Sequence, residues 1–407
     1  MKNRMVHFVL ISLLCTFSLS AQSFFSTQKN GIGLKQYYST VRGLGMGNTG
    51  IASIDSLTLG NYGVSQWLSS PDTRASIAMD YQRVSLEAEG QSQLWSTSSF
   101  TGLSFAIPFK KSGWMIGASL NPYSHVDYKT TQTVESGGIS FPQLNIIDGT
   151  ISQAKVNLMW APTDQLGLSV SGNFFFGTIE DRYQFPFSAD TDFADLIEYI
   201  SGVYSVEYSL FGGGIGFSGH YDLIPNRLKI AGFADLAPTI DVQITYPDAL
   251  IEPEEREAQL TSFPIQYGAG VAFGLTNRVN IAADYAFQES SQTLDIADPT
   301  YNDWYHMGIG IERSSLRKRN VSFLNQLDLR GGFSVNQLGY RFNNESVMEY
   351  TGSFGFGFPF GASRNRFDVA IFGGVRGDDS KNLASERFIN LQISLSMGET
   401  WFLRGRL

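Results

Sequence analysis

The stretch that decides the fold is the C-terminal one, "ERFINLQISLSMGETWFLRGRL", residues 386–407. Its apolar and polar residues alternate: Ile389, Leu391, Ile393, Leu395 and Met397 against Asn390, Gln392, Ser394 and Ser396. Successive side chains of a strand point to opposite faces, so this pattern predicts a strand with one apolar and one polar face. In a soluble sandwich the apolar face would cover a core, whereas in a membrane barrel it would face lipid and the polar face would line the interior. One strand does not distinguish these two arrangements.

The same alternation recurs through most of the chain. It is clear at residues 155–160, 166–176, 265–274, 327–336, 353–360 and 366–376. From Arg74 onward such runs predict about 14 strands, an even number, as in single-chain bacterial barrels. Many runs reach the ~9–11 residues that a tilted strand needs to cross a bilayer. The one convincing short helix is predicted in a loop at residues 191–203.

The connections between these runs are sorted by length. Short ones are "KKSG" (110–113), "PTDQ" (162–165), "DLIPN" (222–226), "TN" (276–277) and "GASRN" (361–365), and longer ones are 129–148, 181–202, 247–258 and 288–303. Outer-membrane barrels have short periplasmic turns and longer outer loops. Aromatic residues mark both strand ends and predict two girdles, for example Trp114 and Trp160 beside the short turns and Tyr123, Trp304 and Tyr340 opposite.

These patterns predict an all-β, transmembrane, antiparallel up-and-down β-barrel. A bilayer offers no water to unpaired backbone groups, so a sheet inside it must close on itself. The apolar face of the opening quotation is therefore expected to meet lipid. We expect the protein in the bacterial outer membrane, in contact with membrane lipids and lipopolysaccharide.

The N-terminal residues predict export. Residues 1–21 form a signal peptide, with Lys2 and Arg4 before a short apolar core and Ala21 at its end. The only cysteine, Cys15, lies in that peptide, so the mature chain has no thiol. The net charge of -9 and the lack of a basic block exclude nucleic acid as a partner. We divide the rest into an N-terminal periplasmic or plug segment, residues 22–72, and a barrel, residues 73–407.

The segment before the first strand is rich in glycine. A barrel of this size has an interior too wide for its own side chains to fill, so it needs water or a plug. The inward positions Gly268, Gly270, Gly274, Gly355 and Gly357 leave room for one.

The stretch "VRGLGMGNTGIASIDS", residues 41–56, resembles the start of FadL-like and PorV/PorQ-like outer-membrane barrels. Tyr62 and Gly63 follow Asn61 where that family has Pro-Ala. The terminal strand is similar to the signal read by the barrel-assembly machinery. The resemblance implies a plug or hatch and assigns its candidate residues: Arg42, Gly43, Gly45, Met46, Gly47, Asp55 and Asn61.

The resemblance also implies two functions. The first is FadL-like passage of small hydrophobic or amphipathic compounds through the outer membrane. The alternative is a type IX secretion-system component, similar to PorV and PorQ, that binds exported proteins. The expected partner is therefore a hydrophobic small molecule or an exported protein.

Polar residues on the inward faces of the strands are candidates to line the lumen: Asn157, Asn173, Asp328, Arg330, Arg366, Asp368, Asn390 and Gln392. The four charged ones either pair with one another or make the pore polar. His125, His220 and His306 are too scattered for a metal cluster. A Ser–His pair near His306 would be needed for a barrel enzyme. We predict no catalytic residue, cofactor or metal, and no enzymatic activity.

Overall fold

The computed structural model describes residues 23–26, 33–88, 90–109, 113–136, 139–184, 203–236, 239–246, 254–262, 265–289, 301–316, 321–361 and 364–400. The predicted signal peptide and the final aromatics Trp401 and Phe402 lie outside this range. So does the predicted helix at 191–203, apart from Val203, which begins a strand.

The described chain is mostly strand. The strands are β1 (Leu34–Lys35), β2 (Thr73–Ala88), β3 (Gln91–Phe109), β4 (Trp114–Ser136), β5 (Ile139–Trp160), β6 (Leu166–Gln184), β7 (Val203–Ile224), β8 (Leu228–Asp235), β9 (Thr239–Tyr246), β10 (Glu254–Ser262), β11 (Gln266–Gly274), β12 (Val279–Gln288), β13 (Trp304–Arg313), β14 (Asp328–Phe342), β15 (Glu345–Phe360), β16 (Asn365–Gly377) and β17 (Ser385–Glu399). Three short helices are α1 (Val41–Leu44), α2 (Phe323–Gln326) and α3 (Asp379–Asn382), and two 3-10 turns are Phe24–Ser26 and Val64–Ser69. In the part of the chain that is described, no helix has the length and apolar character to span a membrane.

The strands form one closed antiparallel ring. β1 belongs to the N-terminal segment, and the pairs β8–β9 and β10–β11 each run as one interrupted strand, so 17 strands make a ring of 14. The C-terminal strand closes the ring on the first one, from Ser385 opposite Glu87 to Glu399 opposite Thr73. The predicted up-and-down barrel and its strand number are confirmed.

The outer surface of the ring carries an apolar belt. In β17, Ile389 is 55% exposed while its neighbour Asn390 is 1% exposed. The same contrast separates outward Met307, Ile309 and Ile311 from the inward residues of β13. A soluble protein seldom exposes so continuous an apolar surface. The apolar face of the opening quotation therefore points outward to lipid, and its polar face lines the interior.

The connections divide the barrel into two ends. The turn end carries the short connections after β3, β5, β7, β11 and β15, and the loop end is opposite. The predicted loop at residues 129–148 is wrong: these residues belong to a long hairpin, because β4 and β5 pair up to Ser136 and Ile139. The predicted loop at 247–258 is too long, because β10 begins at Glu254. Threonine and valine, which favour strands, let the pairing of β4 and β5 continue above the belt.

Part of the predicted outer girdle is also wrong. Tyr123, Trp304 and Tyr340 are buried inside the barrel. Their rings contact the N-terminal segment or residues near it, as in the pair Tyr37–Trp304, whose ring centroids are 4.9 Å apart. At the turn end, by contrast, Trp114 and Trp160 are exposed and stacked at 5.7 Å.

Candidate functional site

The N-terminal residues 33–72, here named the interior segment, lie inside the barrel. Strand β1 pairs with β4, helix α1 packs on β15, β16 and β17, and the turn Val64–Ser69 packs on β5, β6 and β7. On another side, Asp284 of β12 accepts hydrogen bonds from Gly50 N at 2.5 Å and Ile51 N at 2.7 Å. Because these strands are spread around the ring, the segment that contacts them all occupies its interior.

Glycines on the wall make this close approach possible. A Cβ added to Gly310 would lie 2.2 Å from the Met46 carbonyl oxygen, and one added to Gly332 would lie 2.1 Å from Gly47 N. Gly47 itself has φ +69°, a left-handed conformation that favours glycine. The predicted hatch residue Gly45 approaches Gly355 in the same way, since a Cβ there would lie 3.0 Å from the Gly355 Cα. Backbone of the segment thus packs directly on backbone of the wall.

Two ion pairs fasten the segment to the wall near the turn end. Arg42 forms a buried pair with Glu312, to which its Nε donates at 3.0 Å, and its Nη1 donates to Ser53 Oγ at 2.8 Å. Asp55 accepts two hydrogen bonds from Arg366, from Nη1 and Nη2, both at 2.9 Å. Such two-point arginine–carboxylate contacts fix geometry as well as charge.

The four charged wall residues singled out in the sequence are paired with one another. Arg330 donates to Asp368 at 2.6 Å and contacts Asp328 at 3.4 Å. Arg366 Nε donates to Asp368 at 2.8 Å. Arg330 also donates to Glu312 at 2.8 Å, which joins the wall pairs to the Arg42 contact. The result is one continuous network from the interior segment across β13, β14 and β16.

The charge on Asp55 depends on this network. Burial alone would raise the pKa of its carboxyl, but the positive charges of Arg366 and Arg42 outweigh burial and hold the pKa below the usual value. Arg42, in the other ion pair, behaves in the same way: burial alone would lower its pKa, but the negative charge of Glu312 holds the pKa above its usual value. Asp55 and Arg42 are therefore both charged, and each fastens the segment through an ion pair.

The remaining predicted residues have simpler places. Gly43 N donates to the Thr40 hydroxyl at the start of α1, and Asn61 Nδ2 donates to the Tyr38 carbonyl within the segment. On the wall, Asn173 donates to Asp235 at 3.1 Å and Asn390 to Asp80 at 3.3 Å. Asn157 is buried on the inward face of β5, and its amide has no partner among the described residues.

The barrel wall is split between β3 and β4. Their pairing runs from Phe109–Trp114 only as far as Leu103–Leu120, although both strands continue toward the loop end. Two bulges flank the end of pairing: Thr101 is the extra residue of β3 against β2, and Tyr123 is the extra residue of β4 against β5. Bulges commonly end strand pairing, and Pro122 cannot donate a ladder hydrogen bond.

Beyond the split, β4 bends into the lumen. Gln288 of β12, nearly half-way round the ring, donates to the Tyr123 hydroxyl at 2.9 Å. Strand β1 of the interior segment pairs with the bent part, Leu34 opposite His125 and Lys35 opposite Ser124. The split begins at a height inside the apolar belt, because Leu120 lies opposite Ala154, which lies opposite the exposed Phe174.

One cavity lies above the segment and another lies below it. Near the loop end a cavity of about 80 Å³ lies among Tyr37, Trp304 and Phe388. At the turn end a vestibule of about 670 Å³ reaches Asp55, Glu312 and Arg366. The charged network thus lies between the larger cavity at the turn end and the smaller one near the loop end.

Sequence reasoning missed several residues of this site. Glu312 follows the outward residues Met307, Ile309 and Ile311 at an inward position, so alternation alone could have assigned it to the lumen. Asp284 could have been found in the same way. The contact between Tyr123 and Gln288 could not be found, because nothing local in the sequence indicates a partner across the ring.

The described residues include no group of three His, Cys, Asp or Glu side chains placed to hold a metal ion. His306, the residue considered for an enzyme, contacts the Asn336 side chain through Nδ1 and lies 4.9 Å from the Tyr37 ring. Its described partners therefore do not include the serine that a Ser–His pair requires.

Comparison with known proteins agrees with this geometry. A family model described as BamG matches residues 1–210 and 236–407. No curated protein matches the sequence significantly. Similar solved structures include the Pseudomonas putida toluene transporter TodX, with 15% identity and a TM-score of 0.59 over 90% of this chain and 100% of that one. A Pseudomonas aeruginosa FadL homologue has 10% identity and a TM-score of 0.60 over 90% and 99%, and the monoaromatic hydrocarbon channel CymD has 14% identity and 0.56 over 89% and 98%. At these identities the structures establish the fold, which is that of a FadL-like outer-membrane barrel.

Proposed function

The chain belongs to the BamG family, and on that premise we propose that this outer-membrane barrel passes small hydrophobic or amphipathic compounds sideways through its split wall. The observation that carries the proposal is the end of β3–β4 pairing at Leu103–Leu120. From the turn end to that pair the wall is continuous. Beyond it, toward the loop end, the neighbouring strands β3 and β4 are no longer hydrogen-bonded to each other. A barrel that served only as a closed scaffold would gain nothing by leaving strand edges unpaired in a bilayer.

The direction of passage is argued from what fills the lumen. The interior segment blocks the straight path along the barrel axis, since its backbone packs on Gly310 and Gly332 and two ion pairs fasten it. The split offers a second way out, at the height of the apolar belt. A compound that dissolves in acyl chains can leave there without crossing the charged network around Asp55 and Arg366.

The substrate class is suggested by proteins of the same fold. TodX is described as a toluene transporter and CymD as a monoaromatic hydrocarbon channel, and both share this fold. Toluene is therefore a suitable first probe. The side chains at the split, rather than those relatives, must determine what this chain accepts.

A reversible closure of the split tests the proposal. Gly102 and Asn121 occupy the first opposite positions beyond the last β3–β4 pair, so the double variant Gly102→Cys/Asn121→Cys places two thiols across the opening. The sequence has one cysteine, in the predicted signal peptide, so no other thiol competes. The measurement is uptake of radiolabelled toluene by cells that express the variant, before and after oxidation.

We expect oxidation to abolish most of the facilitated uptake and reduction to restore it. The matched control is Leu103→Cys/Leu120→Cys, which joins the last pair that already exists and should leave uptake unchanged in both redox states. Equal uptake by the oxidised and reduced split variant would refute sideways passage.

A second candidate function is binding of other proteins, including the barrel-assembly machinery to which the family name points. The observation that favours it lies at the turn end, where Phe323 and Leu324 of α2 are 67% and 62% exposed. Large apolar side chains exposed beyond a barrel commonly mark a contact surface. The small free volume of the lumen also suits a protein that need not conduct.

Co-purification with the central barrel of the assembly machinery tests this second candidate. Phe323→Ser/Leu324→Ser should remove the association, whereas Phe211→Ser should keep it. Phe211 is comparably exposed, at 65%, but it belongs to the lipid-facing belt on β7. Association that survives the α2 substitutions would exclude this surface.

A further inference from the structure

A small chamber lies between the interior segment and the split wall. It has a volume of about 40 Å³ and is bounded by Tyr38 and Asn61 of the segment, Thr101 and Asn121 at the split, and Gln392 of β17. The described residues that line it include no Asp, Glu, Lys, Arg or His. Seryl, threonyl and amide groups dominate instead. The chamber is therefore polar but uncharged, unlike the network around Arg366.

Three side chains of the chamber are left with unused hydrogen-bonding capacity. Thr101 Oγ1, Asn121 Oδ1 and Gln392 Oε1 are buried and have no hydrogen-bond partner in the described protein. All three residues are more than nine-tenths buried. Buried polar atoms are normally paired, so three in one chamber indicate a group that comes from outside the chain. Two of the three are amide oxygens, which accept hydrogen bonds and cannot donate them.

Two of these atoms, on Thr101 and Asn121, lie where β3 and β4 separate, and Gln392 lines the same chamber from β17. Thr101 is the bulged residue of β3, and Asn121 follows Leu120, the last residue of β4 that pairs with β3. A Cβ added to Gly102 would lie 2.4 Å from Asn121 Oδ1, so that oxygen points at the inner rim of the split. A compound that passes the split must therefore pass Thr101 and Asn121.

We propose that the chamber binds the uncharged, hydrogen-bond-donating head of an amphipathic compound, such as an alcohol or a primary amide, while its apolar part lies in the split. This inference rests on the proposed sideways passage and names the substrate class for it. A carboxylate or ammonium head is disfavoured, because the chamber offers no opposite charge to offset its burial. A pure hydrocarbon would leave the three acceptors unpaired, so it should pass less well than the matching alcohol.

The test compares three probes that share one ring: toluene, benzyl alcohol and benzoate. Uptake is measured in cells that express the full-length chain, with cells lacking it as the baseline. Facilitated uptake should be greatest for benzyl alcohol. The variant Asn121→Leu/Gln392→Met keeps the side-chain lengths but removes both amide oxygens. It should lower facilitated benzyl alcohol uptake about tenfold, the order expected when hydrogen bonds to a bound ligand are lost, and leave toluene uptake unchanged or higher.

The matched control is Asn145→Leu, since Asn145 also has a buried oxygen without a described partner but lies on β5 away from the chamber. It should leave all three uptakes unchanged. Folding is checked for every variant by the heat-dependent migration of the barrel in electrophoresis. The purified barrel is also titrated with benzyl alcohol by ligand-observed NMR, in which the double variant should bind about tenfold more weakly.

The outcomes separate the two proposals. Facilitated toluene uptake with no preference for benzyl alcohol, or equal effects of the double variant on both, overturns the chamber and keeps sideways passage. Benzyl alcohol binding that the double variant weakens, without facilitated uptake of any probe, keeps the chamber and refutes passage. Absence of both binding and uptake overturns both.

Discussion

Asp55 is the residue through which the interior segment is bound to Arg366 of the wall. Its carboxylate holds Arg366 at two points, 2.9 Å each, and both side chains are largely buried. Asp55→Asn leaves the buried guanidinium with one fewer anion, so we expect the unfolding free energy to fall by about 3 kcal/mol. Trypsin should then cleave the segment at Arg42, which the native fold buries. The control is Asp164→Asn in the exposed β5–β6 turn, which should resist trypsin like the wild type.

The same carboxyl predicts how the fastening responds to pH. The pKa of Asp55 is held below its usual value, so the stabilisation is complete above the unfolded pKa of about 3.9 and is lost only as the pH falls through the lower, folded pKa. The resistance of the interior segment to proteolysis should therefore stay constant from pH 8 to pH 5. It is measured with a protease that remains active in acid. If resistance to proteolysis were half lost near pH 6, the contact between Asp55 and Arg366 would not be an ion pair.

Gly310 tests the packing of backbone against backbone. An alanine there would place its Cβ 2.2 Å from the Met46 carbonyl oxygen, and a rigid backbone cannot move aside as a flexible side chain can. We expect Gly310→Ala to keep a heat-stable barrel but to displace the segment, measured as faster hydrogen exchange at residues 44–52. Gly352→Ala is the matched control, because nothing lies within 4 Å of a Cβ at that site. Unchanged exchange in Gly310→Ala would mean that the segment does not need this approach.

Among the elements, β4 is the one whose course decides the site. Its bend is held by Gln288, whose amide bonds the Tyr123 hydroxyl at 2.9 Å and also contacts the Lys35 amine. Gln288→Leu removes both contacts, and we expect a loss of about 1–3 kcal/mol. Hydrogen exchange should accelerate at residues 121–127 while residues 114–120, which stay paired with both neighbours, serve as the internal control. If Gln288→Leu changed hydrogen exchange equally in the two stretches, contacts other than those of Gln288 would hold the bend.

The course of β4 also shows how far the sequence alone could go. Where the ladder is regular, the faces that alternation predicts agree with the exposure of the side chains, as at Ile389 and Asn390. After Tyr123 a bulge exchanges the two faces, so that Ser124 and Val126 are buried in turn, and bulges carry no strong local signature. For the charged residues Arg330 and Asp368 the sequence leaves pairing and pore polarity open as alternatives, and in the structure the two form an ion pair. The contact between Gln288 and Tyr123 was missed because contacts across a ring depend on closure, which no single strand encodes.

For the whole molecule, the relation between barrel and interior segment can be tested by removing the segment. Fourteen strands surround a lumen that the barrel's own inward glycines, such as Gly268 and Gly355, leave unfilled. The ladder from β2 to β17 does not use residues 33–72 except where β1 covers the bent part of β4. The ring should therefore close without them, and the chain lacking residues 23–72 should conduct ions in planar bilayers far better than the full-length chain.

Because a deletion can also impair assembly of the barrel, a second variant keeps the segment and removes the ion pairs that bind it to the wall. The double variant Arg42→Ala/Asp55→Ala removes both ion pairs while it keeps the chain length, and it should show intermediate, fluctuating conductance. Heat-dependent migration verifies that each barrel is closed. The two routes converge on one physical statement: in this fold hydrogen bonds between strands close the wall, and the segment alone closes the lumen. Well-folded barrels that stay as insulating as the wild type in both forms would show that the strands and outer loops close the lumen themselves.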